Sequence, residues 1–187
     1  YTEVLGKPKG NSLTLKDTIK GEIFTVTADV VINAGGAWID KVNAGLGIAS
    51  HYMGGSRGAH LIVKHRGLMD ALQGRMMYFG CKDGRFNLIY PFFGNALVGP
   101  TDLPHPDPDL AHCPTEETDY LLGIVSEIFP DIKLARDDVI LTYSGVRPLP
   151  RANGKDIGDV SRDHSIGRDT MPGTQTPVLS LVGGKWT

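Results

Sequence analysis

The sequence predicts an α+β protein, in which a mainly antiparallel sheet carries a helix on one face and is flanked by fragments of an α/β unit. Three observations support this fold class. The chain of 187 residues contains 24 glycines and 12 prolines, which indicates many turns and short strands. Short segments with alternating or β-branched residues recur along the chain. Only residues 116–129 combine a helical apolar stripe with start and stop signals as a long helix.

The first fifty residues are predicted to form strands followed by a short helix. Segments 13–16 and 22–27 flank a turn at Lys20-Gly21 and fit a half-exposed hairpin. The run 29–33 is apolar and β-branched without alternation, which is typical of a strand buried on both faces of an α/β sheet. The apolar residues that follow have helical spacing: Trp38, Ile39, Val42 and Leu46.

The middle of the chain is predicted to be an antiparallel meander followed by a helix. Hairpin turns are expected at 82–84 and 93–95. The helix at 116–129 is expected to have Thr115 as its N-cap and to end before Pro130. The remaining predicted strands are 59–64, 75–80, 85–90, 95–99, 137–144, 161–166 and 177–182.

Charge and composition exclude several classes of protein. The formal net charge is −2, so no basic excess points to nucleic acid. No apolar stretch approaches the ~18 residues of a membrane-spanning helix. Cys81 and Cys113 are too far apart for a CxxC pair, which favours a reducing compartment and a cytoplasmic location. The histidines lack metal-ligand spacing, so no metal site is expected.

The two ends of the sequence suggest a piece of a longer protein. The chain opens at Tyr1 without a Met, and it stops at Thr187 shortly after an apolar run. Natural domains seldom end on a buried strand without a polar tail. We therefore expect part of the function to lie outside this sequence.

Two glycine-rich segments could bring a ligand close to the backbone. The segment NAGGAW at 33–38 follows a predicted buried strand, and the helix start after it offers N–H groups to an anion. The segment GGSRGAH at 54–60 carries His60, a candidate general base or hydrogen-bond partner for a substrate hydroxyl. Without a ligand, the first segment is a tight turn and His60 is a strand residue bonded to a carbonyl. Neither segment matches the GxGxxG fingerprint.

Two arginines and a lysine in the second half are candidate ligand-binding residues. The segment TYSGVRPL at 142–149 holds Arg147 before a proline, which keeps the arginine extended as a clamp for phosphate or carboxylate. Arg162, in the sequence SRDH, is either a second clamp or a surface charge, and two arginines suit a dianionic phosphate. The segment GGKWT at 183–187 places Lys185 where it could donate to an oxygen that gains charge during a redox reaction.

The order of these segments is more specific than any one of them. The ordered motifs are VVINAGGAW at 30–38, GSRGAHL at 55–61, YP at 90–91, LVGPTD at 97–102, TYSGVRPL at 142–149, SRDH at 161–164 and GGKWT at 183–187. In this order the chain resembles the FAD-dependent glycerol-3-phosphate dehydrogenases, within the FAD-dependent oxidoreductases that include D-amino-acid oxidase. The resemblance covers nearly the whole chain.

The resemblance implies an enzyme that oxidises glycerol 3-phosphate to dihydroxyacetone phosphate, with FAD as cofactor and hydride acceptor. It implies that Arg147 and Arg162 bind the substrate phosphate. It also implies that His60 and Lys185 are catalytic groups facing the substrate oxygens, and either could take the proton. The implied cofactor-binding residues are Gly35, Gly36, Gly184 and Thr187.

The resemblance also implies partners for the full-length protein. Besides the small-molecule phosphate substrate, these are a quinone acceptor and a peripheral contact with the inner face of the cytoplasmic membrane. Some relatives use oxygen in place of the quinone. The oligomeric state stays open.

The same resemblance implies domain boundaries. Residues 1–50 correspond to the C-terminal part of an FAD-binding domain, 51–176 to a substrate-binding domain, and 177–187 to a strand that returns into the FAD-binding domain. Because the GxGxxG segment is missing, we expect the 187-residue chain alone neither to hold FAD tightly nor to be active.

Two other functions stay open. One is another FAD-dependent oxidase or dehydrogenase, acting on amino or hydroxy acids; the pair of arginines argues against it, because a carboxylate needs only one. The other is a non-catalytic module that binds a phosphate ligand. The glycine segments implied to face the flavin argue against that function, because such a module does not need them.

Overall fold

The computed structural model describes residues 1–151 and 160–184, and the chain divides into two compact units. The first unit comprises Tyr1–Gly55 and Arg147–Thr187, and the second comprises Ser56–Val146. Residues 147–176, which the predicted boundaries assign to the middle domain, group here with the N-terminal segment. In chain order the elements are β1 (Thr2–Lys9), β2 (Ser12–Asp17), β3 (Ile23–Thr27), β4 (Val31–Asn33), α1 (Ile39–Gly45), β5 (Ser56–Val63), α2 (Arg66–Leu72), β6 (Met77–Gly80), β7 (Phe86–Phe92), β8 (Asn95–Gly99), β9 (Leu103–Pro104), α3 (Thr115–Ile128), β10 (Val139–Arg147), β11 (His164–Thr170) and β12 (Pro177–Gly183).

The first unit contains two three-stranded sheets. Strands β1, β2 and β3 form an antiparallel meander. In the other sheet β11 and β12 pair antiparallel, and β12 pairs in parallel with β4, which is the expected α/β fragment. Helix α1 contacts β1, β4 and β12. One cluster of buried core residues in this unit comprises Leu13, Leu46, Ile48, Met171 and Val178.

Strand β4 differs from the expectation of burial on both faces. Val30, just before the strand, is 47% exposed and Ile32 within it is 64% exposed, whereas Asn33 at its end is buried. The reason is that β4 is the outer strand of its sheet, with β12 as its neighbour. The apolar run therefore identifies the strand correctly but not its burial.

The second unit is built on a six-stranded sheet. Its order is β10-β5-β8-β7-β6, with β9 beside β5, and strands β5 to β8 contain the predicted antiparallel meander. Helices α2 and α3 share one buried apolar core with the sheet. Its residues are Leu61, Val63, Ile89, Ala96 and Val98 from the strands, Leu68 and Leu72 from α2, and Leu121, Leu122, Ile124 and Val125 from α3. His60 and Tyr90 alternate with core residues of their strands and so lie on the other face. This architecture confirms the predicted fold class.

Several local features differ from the predicted elements. The structure contains β1 and α2, which the sequence patterns do not predict. Helix α2 is capped by His65, whose Nδ1 accepts a hydrogen bond from the Leu68 N–H (3.1 Å), and histidine is outside the usual set of cap residues. Thr115 is the first residue of α3 rather than its cap. Strand β10 extends to Arg147, and β11 begins later than predicted, at His164.

Helix α3 covers 14 residues and buries the stripe that its sequence predicts. Leu121 and Val125 are fully buried, and Phe129 follows as the C-cap before Pro130. Within residues 1–151 and 160–184, none of the helices is long and apolar enough to cross a membrane.

A polar cluster fixes the turn of the β6–β7 hairpin to α3. The Tyr120 hydroxyl donates to Asp83 (2.8 Å), and the Arg85 guanidinium lies 5.5 Å from the centroid of the Tyr120 ring. Burial and the hydrogen bond to the Asp83 carboxylate together raise the pKa of Tyr120 to about 12. The folded protein therefore favours the protonated phenol.

We expect Tyr120→Phe to lower the free energy of unfolding by about 1 kcal/mol at neutral pH. A pKa raised by folding contributes stability that is complete below the unfolded value near 10 and is lost as the pH rises to about 12. The difference in the free energy of unfolding between wild type and Tyr120→Phe should therefore shrink as the pH rises from about 10 to about 12. Urea-induced unfolding at several pH values measures this difference. Tyr78→Phe, at a 65% exposed tyrosine of the same hairpin, is the control. If the free energies of unfolding of wild type and Tyr120→Phe differed by the same amount at every pH, the assigned hydrogen bond would be contradicted.

Candidate functional site in the first unit

The first unit contains a cavity of about 730 Å³ beside the carboxyl ends of the parallel strands β4 and β12. Its walls come from Ala34 and Gly36 after β4, from residues 162–166, from residues 181–184, and from Pro148. In α/β sheets this is the edge at which ligands bind. The volume is in the range of small-molecule and cofactor sites.

Asn33 sets the conformation of the glycine turn after β4. Its Oδ1 accepts a hydrogen bond from the Gly35 N–H (3.0 Å), and its Nδ2 donates to the Ile39 carbonyl (2.9 Å) and to Asn43 Oδ1 (2.7 Å). A Cβ at Gly35 would lie 3.0 Å from Asn33 Oδ1, so this position is tightly packed. Gly36 has φ +58° and presents bare backbone to the cavity. Of the two predicted glycines, Gly36 lines the cavity and Gly35 supports the turn.

Strand β12 ends at two glycines in the left-handed region, Gly183 with φ +74° and Gly184 with φ +95°. A Cβ on Gly183 would lie 2.5 Å from the Asp163 carbonyl oxygen, so the two segments approach more closely than any side chain permits. Gly184 lines the cavity, in the place where the sequence predicts a ligand. Lys185 and Thr187 lie outside the described residues, and their roles stay predictions.

The predicted phosphate-binding arginines both belong to the first unit. Arg162 lines the cavity. Arg147 is the last residue of β10, and Pro148 directly after it forms part of the cavity wall. Asp163 brings a carboxylate to the same cavity, where it accepts a hydrogen bond from the His164 N–H (2.8 Å) and lies 3.2 Å from His164 Nδ1. The cavity thus combines charged groups with bare glycine backbone.

His60 belongs to the second unit and is stacked on Tyr143. The ring centroids are 4.9 Å apart and the planes differ by 5°. Gly99 makes room for the imidazole, because a Cβ there would lie 2.6 Å from His60 Cδ2. Burial and the neighbouring Tyr90 raise the pKa of Tyr143, so its hydroxyl stays protonated at neutral pH. These contacts fix the plane of the His60 ring.

A buried polar cluster supports the strand that carries His60. Glu117 is 4% exposed, pairs with Arg57 and accepts a hydrogen bond from the Thr101 hydroxyl. Thr101 Oγ1 in turn accepts from the Ala59 N–H (2.8 Å). Sequence reasoning misses this cluster, because three distant segments contribute to it and a glutamate in a first helical turn is usually exposed. Among the described residues no group of His, Cys, Asp and Glu could hold a metal ion.

Comparison with known protein families adds the deciding observation. The sequence model of the family described as FAD dependent oxidoreductase (DAO) matches residues 1–176. The chain belongs to this family. The resemblance to FAD-dependent oxidoreductases inferred from the motifs is confirmed.

Curated relatives of this FAD-dependent oxidoreductase are similar along its whole length. The glycerol-3-phosphate dehydrogenase of Synechocystis sp. is 32% identical over 100% of this chain and 36% of the relative. The aerobic glycerol-3-phosphate dehydrogenase of Staphylococcus saprophyticus is 31% identical over 96% of this chain and 31% of the relative. The chain spans about a third of the length of these relatives.

Solved structures share its fold. The glycerol-3-phosphate dehydrogenase of Bacillus halodurans, complexed with FAD, matches with a TM-score of 0.75 and 25% identity over 99% of this chain and 35% of that chain. The glycine oxidase of Geobacillus kaustophilus matches with a TM-score of 0.58 and 24% identity over 96% of this chain and 42% of that chain. The second likeness concerns the fold alone.

The residues around the cavity fit the cofactor of the family. A planar ring system needs close approach to the backbone, and Gly36 and Gly184 offer walls without side chains. Ile166 and Leu181, which are 51% and 43% exposed, add apolar surface to the same cavity. This set of residues suits one face of a flavin ring.

Proposed function

We propose that the full-length protein containing this chain is an FAD-dependent glycerol-3-phosphate dehydrogenase, which oxidises sn-glycerol 3-phosphate to dihydroxyacetone phosphate. The observation that carries the proposal is the cavity of the first unit, which Arg162 lines together with Gly36 and Gly184. An arginine and bare glycine backbone in one cavity suit a flavin enzyme whose substrate is both an alcohol and a phosphate ester. The names of the relatives and the order of the motifs support it.

In this proposal the chain's own residues orient the substrate. Arg147 and Arg162 bind the phosphate, because the planar guanidinium forms paired hydrogen bonds with phosphate oxygens. Binding energy from this remote group holds C2 in the geometry that the reaction needs. Gly36, Gly184 and Thr187 hold the flavin, and Gly35 shapes the turn that presents Gly36. Bound FAD supplies the acceptor for the hydride from C2.

His60 and Lys185 face the oxygen on C2, and one of them takes the hydroxyl proton. The stacking of His60 on Tyr143 supports this role, because a ring with a fixed plane directs its nitrogen toward one place. The electron acceptor in this proposal would be a membrane quinone, which the full-length protein would reach at a peripheral contact with the cytoplasmic membrane. The 187-residue chain alone, which contains no GxGxxG, neither holds FAD tightly nor reacts.

The test is to add glycerol 3-phosphate anaerobically to the FAD-loaded full-length protein and to follow the absorbance of oxidised flavin. We expect rapid bleaching with glycerol 3-phosphate and none with glycerol or sarcosine, because the phosphate supplies the binding energy. Bleaching by an amino or hydroxy acid alone would replace the proposal with the other flavin-dependent activity. No bleaching with any of these substrates would favour a phosphate-binding module.

A further inference from the structure

A chain of hydrogen bonds, buried at Asn33 and Asn43 and half-buried toward Asp40, runs through the first unit. Asn33 Nδ2 donates to Asn43 Oδ1 (2.7 Å), Asn43 Nδ2 donates to Ser50 Oγ (2.9 Å), and Ser50 Oγ donates to Asp40 Oδ1 (2.6 Å). Asn43 Nδ2 also donates to Ser180 Oγ (3.0 Å) on β12. Asn43 and Ser180 are fully buried. The glycine turn at one end of this chain therefore connects to the carboxylate of Asp40 at the other.

Asp40 binds a separate segment of the chain rather than only its own helix. Its Oδ1 accepts from the Tyr52 N–H (2.9 Å) and its Oδ2 accepts from the Met53 N–H (2.9 Å). Together with the Ser50 hydroxyl, three donors from residues 50–53 converge on one carboxylate. Burial opposes the charge of Asp40, but these hydrogen bonds and the nearby His51 outweigh it and lower the pKa of this carboxyl. Asp40 is thus a charged anchor for residues 50–53.

The segment held by Asp40 is paired with the residues that follow Arg147. Met53 and Pro150 form an antiparallel bridge, the Gly54 N–H donates to the Leu149 carbonyl (3.0 Å), and the Arg151 N–H donates to the Tyr52 carbonyl (3.0 Å). Residues 52–54 therefore set the place of residues 149–151. Pro148, next to this paired stretch, is part of the cavity wall.

The segment is also tied to β11. The Tyr52 hydroxyl donates to Asp169 Oδ2 (2.8 Å), and its ring covers Gly167, where a Cβ would lie 2.4 Å from Tyr52 Cζ. Strand β11 begins at His164, and residues 162–166 form another wall of the cavity. The segment anchored by Asp40 thus contacts residues 149–151, which follow Arg147, and strand β11, which begins two residues after Arg162.

We propose that Asp40 is a positioning residue for phosphate binding: its carboxylate holds residues 50–53, which in turn place Arg147 and the cavity wall formed by Pro148. The inference rests on the proposed function, because it assigns the phosphate to the same cavity. Asp40 does not touch the substrate. Its effect reaches the cavity through the paired backbone of residues 52–54 and 149–151.

The test compares Asp40→Asn with wild type in the FAD-loaded full-length protein. The amide keeps the size of the side chain, but its NH₂ group faces a backbone N–H, so at least one of the three hydrogen bonds is lost. We expect the KM for glycerol 3-phosphate and the inhibition constant of inorganic phosphate each to rise about tenfold, with kcat changed less than about threefold. We also expect the variant to lose the thermal protection that inorganic phosphate gives to wild type, a readout that needs no turnover.

Asp17→Asn is the matched control. Asp17 Oδ1 also accepts two backbone N–H groups, from Ile19 (2.8 Å) and Lys20 (3.0 Å), but in the β2–β3 turn of the same unit and away from the cavity walls. This variant should leave KM and phosphate protection unchanged. If Asp40→Asn does not fold, Ser50→Ala removes one donor to the carboxylate and should raise KM in the same direction by a smaller factor.

The outcomes separate this inference from the proposed function. Unchanged KM and unchanged phosphate protection in both Asp40→Asn and Ser50→Ala overturn the positioning role, while oxidation of glycerol 3-phosphate by wild type keeps the function. Loss of kcat at constant KM also overturns the role. If wild type does not oxidise glycerol 3-phosphate but phosphate protects it and fails to protect Asp40→Asn, the function is wrong and the positioning role stands. If wild type neither reacts nor is protected, both are wrong.

Discussion

Replacing Gly183 by Ala is expected to destabilise the protein by about 2–5 kcal/mol and to distort the cavity. The left-handed backbone at φ +74° costs a residue with a Cβ about 1–2 kcal/mol. The new Cβ would also lie 2.5 Å from the Asp163 carbonyl oxygen, and overpacking of this kind costs about 1–3 kcal/mol more. Because Asp163 and its neighbours line the cavity, relief of the clash moves the wall that carries Arg162. Urea-induced unfolding measures the stability.

Gly173→Ala is the matched control for this prediction. Gly173 has nearly the same φ, +75°, but the described residues place no heavy atom within 4 Å of its Cβ position. Gly173→Ala should therefore lower the free energy of unfolding by only the backbone contribution, about 1–2 kcal/mol. The difference in the free energy of unfolding between Gly183→Ala and Gly173→Ala measures the cost of the clash between residues 163 and 183. If both variants lost the same free energy of unfolding, the clash with the Asp163 carbonyl oxygen would be relieved without an energetic cost, and the prediction would be wrong.

Replacing Arg162 by Lys is expected to lower kcat/KM for glycerol 3-phosphate by about 10- to 100-fold in the full-length protein. Lysine keeps the positive charge but loses the planar pair of donors, and a hydrogen bond to a charged group is worth about 1.5–3 kcal/mol. We expect most of the loss in KM and part in kcat, because a misplaced phosphate spoils the position of C2. Steady-state kinetics over a range of glycerol 3-phosphate concentrations separate the change in KM from the change in kcat.

The control for this prediction is Arg168→Lys. Arg168 lies on β11, six residues after Arg162, and is exposed but does not line the cavity. Its replacement should leave kcat/KM within about twofold of wild type. Arg147→Lys should resemble Arg162→Lys, and the double variant should lose less than the product of the single losses if both arginines hold one phosphate. Kinetics of Arg162→Lys equal to wild type would remove Arg162 from the site.

The sequence patterns predicted helices, strands and turns well where interactions between residues close in sequence determine them. The apolar stripe of α3, the hairpin turns at 82–84 and 93–95 and the run ending at Asn33 all correspond to observed elements, because backbone preference and hydrophobic period act over a few residues. The same reasoning missed α2, whose cap is a histidine, and overestimated the burial of β4. Burial depends on what lies beside a strand, and β4 is an outer strand.

The candidate site also contains some residues that the sequence alone can propose and others that it cannot. Gly36, Gly184 and Arg162 can be proposed from sequence, because glycine and arginine have chemical properties that few other residues share, and the order of their motifs identifies the family. Asp40, Asn43 and Glu117 cannot be proposed in that way. Their importance comes from burial and from partners up to 137 residues away, as in the bond between Asn43 and Ser180.

For this protein, residue chemistry and motif order suffice to place the chain among the FAD-dependent oxidoreductases and to name the groups that could meet a phosphate. They do not reveal that Ala34, Gly36, residues 162–166 and residues 181–184 line one cavity, or that the half-buried carboxylate of Asp40 holds residues 50–53. Those features arise because the chain must satisfy buried polar groups with donors and acceptors from distant segments. Such pairings depend on the packed fold, and no local pattern of residues encodes them.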